Sequence, residues 1–276
     1  MVNKMVEQPD YDFIFISYDE PDADESFSRL QEIVPNAKRV HGVKGIARAW
    51  HRAAQITDKD YFITMDADQR LDPNFSFEVA GWYEGDRRIH VWRSKNSVNG
   101  LVYGYGSIHM FPTQLVRDFE DLDVVDFTLS VGKYGFKIQE ECASTTYFNQ
   151  TPYIAWKSAY RECSKLASNT NLYSTSQMDR TQEYITRCRL YVWCSIGADV
   201  KNGLYTILGA RMGAVHGFIN KNNSKELAQI SKPEFFKNLW TYIDLDNNLH
   251  IYLLHYKDKL CNLGFNVDDY TEEQSR

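Results

Sequence analysis

Tyr61-Phe-Ile-Thr-Met-Asp-Ala-Asp-Gln-Arg-Leu-Asp-Pro73 decides how this chain folds. An apolar run rich in aromatic and β-branched residues reads as a buried strand, and it stops abruptly at Asp66-Ala67-Asp68. Side chains two apart on a strand face the same side. Both carboxylates can therefore converge at the strand's carboxyl end, where open α/β sheets hold their ligands. Two hard oxygen donors there suit Mg2+ or Mn2+ bound together with a substrate's phosphates. Most Asp-x-Asp pairs are instead caps or solvated turns. The strand before this pair and the Asp72-Pro73 turn after it favour the metal–diphosphate reading.

Upstream, residues 12–17 form a short buried strand followed by an acidic turn. A helix starts near Glu25, capped by Asp22 or Asp24, with Phe27, Leu30 and Ile33/Val34 on its apolar face. Residues 37–41 are a second strand. Gly42 and Gly45 then flank Lys44 in a tight turn, and a helix over about 46–56 carries Ala49, Trp50, Ala53 and Ala54 on one side. Strand–helix–strand–helix–strand argues for a mostly parallel sheet with right-handed crossovers. Further strands are expected at 89–93, 100–111, 137–141 and 144–148. The glycines within 100–111 suggest close approach of backbone to a ligand. From Pro152 the chain turns helical, with helices expected over 153–168, 180–193, 204–217, 233–241 and 247–263. The fold class is α/β: a Rossmann-like, mostly parallel mixed sheet flanked by helices, with a helical C-terminal portion. One compact domain is expected over 1–276, comprising an α/β core (1–150) and a mainly helical portion (151–276).

Hydrophobic residues at 43% suffice for a sizeable core, and 14% aromatics suit stacking on sugars or bases as well as an aromatic-rich interior. No apolar run approaches the roughly 18–20 residues needed to cross a bilayer, so no membrane association is expected. Five cysteines without CxxC spacing fit a reducing cytoplasm better than a disulfide framework or zinc site. The net charge of −6 is uneven: residues 151–225 carry 10 Lys and Arg against 4 Asp and Glu, between acidic flanks. Such a segment can face a polyanion, although surface charges also cluster by chance.

Several other residues are candidates, each with an ordinary alternative. Lys44 and Arg48 border a helix N-terminus, which favours anions; they equally suit a solvated basic helix start. Tyr18, Asp19 and Glu20 follow the first strand, where a base and ribose would lie, or simply shape the loop. Asp126 sits beside Val124, Val125, Phe127 and Leu129, surroundings that raise a carboxyl pKa and suit a general base; helix capping is the alternative, and Glu140 and Glu141 compete for the role. His109 and His216 are candidate third metal ligands or ordinary core histidines. Lys157, Arg161, Lys165, Arg187, Arg189, Lys201 and Arg211 interleave with Trp156, Tyr160, Tyr191, Trp193 and Tyr205. This mix can track a nucleic-acid backbone and hold a base, or belong to an amphipathic helical bundle.

Together the acidic residue near Asp19, the turn at Gly45, the Ala47-Arg48 pair and Asp66-Ala67-Asp68 resemble the GT-A glycosyltransferases related to family 2. The chain departs from that pattern at Trp50, where an Asn often follows the Arg, and in lacking a clear Glu-Asp base motif, for which Asp126 is nearest in order. Phe15-Ile-Ser-Tyr-Asp-Glu-Pro21, Lys38-Arg-Val-His-Gly-Val-Lys-Gly45, Trp156-Lys-Ser-Ala-Tyr-Arg-Glu-Cys163 and Trp193-Cys-Ser-Ile-Gly197 resemble glycosyltransferase-like proteins of large tailed bacteriophages. That resemblance implies a UDP-sugar donor and Mn2+ or Mg2+ held by Asp68 and Asp66. It also implies 5-hydroxymethylcytosine in double-stranded phage DNA as acceptor, arabinose as a candidate sugar, and the infected host's cytoplasm as location. A saccharide or protein acceptor and a non-catalytic binding module on the same fold are the rival readings.

Overall fold

The structure is a computed structural model describing residues 8–106, 108–122, 127–168, 180–243 and 245–269. Packing divides the chain into two compact units. The first runs to Asn96 and resumes over Val102–Tyr147; the second comprises Ser97–Leu101 and the chain from Phe148 onward.

In the first unit the described strands are β1 (Tyr11–Ser17), β2 (Lys38–His41), β3 (Tyr61–Asp66), β4 (Gln69–Leu71), β5 (Ile89–Asn96), β6 (Val102–Tyr103), β7 (His109–Pro112) and β8 (Phe136–Thr146). Helices α1 (Ala23–Ile33), α2 (Ile46–Ile56), α3 (Thr113–Arg117) and α4 (Phe127–Val131) connect or follow them. The sheet order is β2-β1-β3-β7-β5-β8-β4, with β6 paired to β5. The expected alternation produces the parallel trio β2-β1-β3. Beyond it β7 runs antiparallel to both β3 and β5, β8 is parallel to β5, and β4 is antiparallel to β8.

Strand alternation builds two cores. Ile14, Ile16, Phe62, Val91 and Phe111 face Ala47, Trp50, Ala53 and Ala54 of α2. Phe13, Phe15, Tyr61, Ile63 and Met65 face the other way, with Leu30 of α1, Phe75, Val79 and Trp92. With both faces covered, β1 and β3 read as continuous apolar runs. Burying a side chain such as Phe62 or Ile63 contributes about 1.5–3 kcal/mol.

Residues 100–111 form two short strands rather than one. The Gly-rich segment between them does approach something closely, but within its own fold: a Cβ on Gly106, whose φ is +58°, would lie 2.7 Å from Thr146 Oγ1. The two strands expected over 137–148 are a single β8, interrupted by register shifts opposite Val91–Ser94. Such a bulge breaks the two-residue alternation that marks a continuous strand.

The second unit contains α5 (Pro152–Ser168), α6 (Arg180–Ser195), α7 (Gly203–Ile219), α8 (Ser224–Leu227), a 3-10 turn (Ala228–Ser231), α9 (Pro233–Tyr242) and α10 (Leu245–Asn262). Trp156, Tyr160, Ile207, Leu208, Met212, Ile230, Phe236 and Leu253 form a core here. The α5–α7 contact is backbone to backbone. Gly209, Gly213 and Gly217, one turn apart on α7, lie against the carbonyls of Trp156, Tyr160 and Ser164, which are likewise one turn apart on α5.

Candidate active site

The order β2-β1-β3 makes the carboxyl ends of β1 and β3 a topological switch point, where open α/β sheets bind ligands. Register aligns the two ends: Ile16 pairs with Asp66, and Ser17 pairs with His41 at the end of β2. Asp66 lies four residues beyond Phe62 and so emerges on the α2 face. Helix α2 begins where β2 ends and runs back along the sheet, which brings its N-terminus to the same edge. One edge thus gathers Tyr18, Asp19 and Glu20 after β1, Lys44 and Arg48 at the start of α2, and Asp66 and Asp68 after β3.

Asp66 and Asp68 are half-buried, with buried Ala67 between them. Among the described residues no group of three or more His, Cys, Asp or Glu comes together as a metal cage. Two carboxylates fit a hard divalent cation such as Mg2+ or Mn2+, which takes its other ligands from phosphates and water. Lys44 and Arg48 are exposed, and Arg48 Nη1 lies 3.6 Å from where a Cβ on Gly45 would stand. Gly45 is the residue before the helix, and its φ of +94° is the backbone turn into α2 that favours glycine. Tyr18 is 43% exposed and Asp19 is exposed, whereas the Glu20 carboxylate accepts the Tyr18 N–H at 2.7 Å and so closes the turn.

Trp50 is buried in the core beneath α2. Its ring packs on His109, Phe111 and Phe127 at 5.5, 5.2 and 5.6 Å. His109 also stacks on Phe111, so its half-buried ring has a core role. Asp126 lies outside the described residues; the residue after it, Phe127, is the one anchored on Trp50. Of its competitors, Glu141 accepts from Ser76 N–H and Oγ at 2.9 and 2.7 Å, and Glu140 is exposed in mid-β8.

Four features of this unit have no counterpart in the sequence expectations. Arg39 donates from Nε to Ser17 Oγ (2.9 Å), from Nη1 to Asp24 (2.7 Å) and from Nη2 to His41 Nδ1 (3.2 Å), tying the ends of β1 and β2 together. The Arg39 hydrogen bond holds the Asp24 carboxyl below its usual range, so Asp24 serves this pair and not the α1 cap. Gln69 is buried at 1% exposure; its amide donates to the Gly106 carbonyl and its Oε1 accepts from Ser144 Oγ at 3.5 Å. Arg70 is exposed, with its guanidinium 4.2 Å from the Tyr147 ring centre, two residues from Asp68. At the opposite edge, buried Asp86 accepts from Arg88 and from His90 Nε2 (3.0 Å), while Gln139 Nε2 donates to His90 Nδ1 (2.9 Å). Burial alone would raise the Asp86 pKa, but the bonds from Arg88 and His90 bring it below the usual value; burial pushes His90 down.

The model of glycosyl transferase family 2 matches residues 1–140, which contain this whole edge. The chain belongs to glycosyl transferase family 2. It is accordingly a nucleotide-sugar-dependent glycosyltransferase, of a class that generally uses a divalent metal. Solved structures similar to this family 2 chain include the mannosyltransferase PcManGT from Pyrobaculum calidifontis in complex with GDP-Man and Mn2+ (12% identity, TM-score 0.43, covering 92% of this chain and 87% of that one). Another is S. aureus TarS 1–349 (11% identity, TM-score 0.34, covering 91% and 90%). No curated protein matches the chain.

The second unit of this glycosyltransferase carries the residues expected to meet nucleic acid. Lys157, Arg161 and Lys165 are half-buried and follow one another by single turns along α5, forming one stripe. Arg187 and Arg189, two apart on α6, point about 200° from each other around the helix and do not share a face. Arg187 is exposed and lies over the Phe265 ring at 5.4 Å. Two expectations fail on burial. Arg211 is fully buried and donates to the carbonyls of Cys194, Leu253 and Asp268 at 2.9, 2.8 and 3.0 Å, so it is no surface contact. Trp156 and Trp193 are likewise fully buried, and Tyr160 nearly so; these rings fill the core and leave none of their faces for a base. His216 is half-buried between Tyr160 and Phe235, with ring centres at 5.7 and 5.8 Å, and burial lowers its pKa. No described helix is long and apolar enough to cross a membrane.

Proposed function

We propose that this chain transfers a sugar from a UDP-sugar to the hydroxyl of 5-hydroxymethylcytosine in double-stranded phage DNA, with arabinose as the leading candidate sugar. The observation that carries the donor half is the pairing of Ile16 with Asp66, which sets Tyr18–Asp19 and Asp66–Asp68 side by side at the switch point. Asp66 and Asp68 hold Mn2+ or Mg2+, which, when bound, neutralises and orients the departing diphosphate. Lys44 and Arg48 face the phosphates from the α2 N-terminus. Tyr18 stacks on the base, and Asp19 accepts a base or ribose proton. Asp126 takes the proton of the acceptor hydroxyl if the anomeric configuration inverts.

The acceptor half rests on the four segments that resemble phage glycosyltransferases and on the basic character of residues 151–225. The Lys157–Arg161–Lys165 stripe and exposed Arg187 are the cations that meet the DNA backbone. Because the hydroxymethyl group projects into the major groove, the duplex can be modified without extruding the base, which would cost a few kcal/mol. The cysteine pattern and the phage resemblance support the host cytoplasm as its location. Incubating the protein with hydroxymethylated duplex, Mn2+ and a panel of UDP-sugars, followed by nucleoside mass spectrometry, is expected to show a glycosylated nucleoside. Binding of UDP and Mn2+ without any such product would discard the DNA acceptor. Failure to bind UDP at all would discard the donor assignment.

A further inference from the structure

We infer that Gln69 is a positioning residue that aims Asp68 at the cation–diphosphate ligand; this rests on the proposed role of Asp68. Gln69 opens β4 immediately after Asp68, and it is one of the few amide side chains buried in the first unit. Both ends of its planar amide are engaged. The NH2 donates to the Gly106 carbonyl and the oxygen accepts from Ser144 Oγ. Ser144 Oγ also lies 3.0 Å from Ser94 Oγ, so its one proton serves either that oxygen or Gln69 Oε1; Ser94 Oγ meets Thr146 Oγ1 at 2.8 Å, and Thr146 Oγ1 donates back to the Gly106 carbonyl at 3.4 Å. The ring of hydroxyls closes on the same carbonyl that Gln69 grips. Gly106 fits there only because it has no Cβ.

Two further constraints bear on Asp68 itself. Its carbonyl accepts the Tyr147 N–H at 2.6 Å, and β4 is paired with β8 from Gln69–Thr146 to Leu71–Ser144. Successive strand residues point to opposite faces. With Gln69 inward, its strand neighbour Arg70 is directed outward, as its exposure reflects, and Asp68 is the half-buried turn residue immediately before the strand. A plain apolar residue at 69 would keep these main-chain bonds but lose the side-chain tie that holds the start of β4 to the Gly106 carbonyl and to Ser144. Groups that orient a metal ligand commonly change affinity by about 10–100-fold when removed.

Mn2+ binding in the presence of UDP, followed by loss of the free-ion EPR signal, separates this role from simple packing. Gln69→Met keeps volume and loses both hydrogen bonds, and it is expected to bind Mn2+ about 10–100-fold more weakly while melting within a few degrees of the wild type. A merely structural residue would shift melting and leave the Mn2+ titration where it was, and that result overturns the inference. Asp68→Ala is the control for the underlying reading: if it too titrates like wild type, Asp68 is no ligand and that reading fails first. Should Gln69→Met not fold, Ser144→Ala, which strips the hydroxyl that meets Oε1 and Ser94 Oγ, is expected to weaken Mn2+ binding severalfold. Unchanged Mn2+ affinity in that variant overturns the inference in the same way.

Discussion

Phe62, Ile63 and Met65 carry the packing of β3, and Asp66 and Asp68 come after it. Asp68→Ala is therefore expected to leave the melting temperature almost unchanged while lowering sugar transfer by about 100-fold or more, the scale seen when a group that stabilises developing charge is removed. Turnover near wild type in an initial-rate assay would contradict it. The Asp86–His90 pair makes a different prediction, about stability. His90 has a lowered pKa in the fold, so as pH falls below its ordinary 6.5 the unfolded chain takes up a proton that the folded chain refuses. Stability is thus full above that value and declines below it, by at most about 1.4 kcal/mol per pH unit for each such group. His216 acts in the same direction, and the lowered Asp86 adds a second loss as pH falls below its ordinary 3.8. Urea midpoints measured from pH 8 to pH 4 are expected to be flat at first and then fall, and His90→Gln should reduce the fall. The acidic turn and the Lys44–Arg48 helix start were legible because each is a local pattern. Arg39, Gln69 and the His90–Gln139 contact were not, since Ser17, Gly106, Ser144 and Gln139 lie 22 to 75 residues from the side chains they meet and only strand register brings them together.

At the scale of elements, three strands and two helices of the β2-β1-β3 region were readable from apolar runs and Gly punctuation. The errors came where periodicity was interrupted: the break at Gly104–Gly106, the bulge in β8, and β4, too short at three residues to show alternation. Helix α7 held a pattern that went unread. Its Gly209, Gly213 and Gly217 recur every fourth residue and let α5 approach until carbonyl oxygens sit where side chains would be. A Cβ on Gly213 would lie 2.2 Å from the Tyr160 carbonyl oxygen, which is backbone and cannot swing aside. Gly213→Val is accordingly expected to destabilise the protein by about 3 kcal/mol or more, or to prevent folding, whereas overpacking a yielding site costs 1–3 kcal/mol. A chemical-denaturation midpoint equal to wild type would show that the two helices can separate without loss.

Across the whole molecule, the charge asymmetry was visible in the sequence, but the destination of each charge was not. Arg211 counts toward the basic segment yet lies in the interior, so the exposed potential is smaller than the composition suggests. If Lys157, Arg161 and Arg187 neutralise three phosphates, the logarithm of duplex affinity should fall with the logarithm of salt at a slope of about −3. Arg187→Glu should make that slope shallower, and salt-independent binding would remove these residues from the interface. Arg211 has another consequence. A guanidinium keeps its proton at every accessible pH, and this one reaches α6, α10 and the irregular stretch after α10 through three separate carbonyls. The last of these belongs to Asp268, whose carboxylate also receives the Tyr191 hydroxyl. Shortening the chain to Leu263 would withdraw that carbonyl from a charge sealed in the interior, at a cost of about 1–3 kcal/mol. The tail therefore works as a keystone: carboxypeptidase digestion that passes residue 268 should loosen helices whose own sequences are untouched.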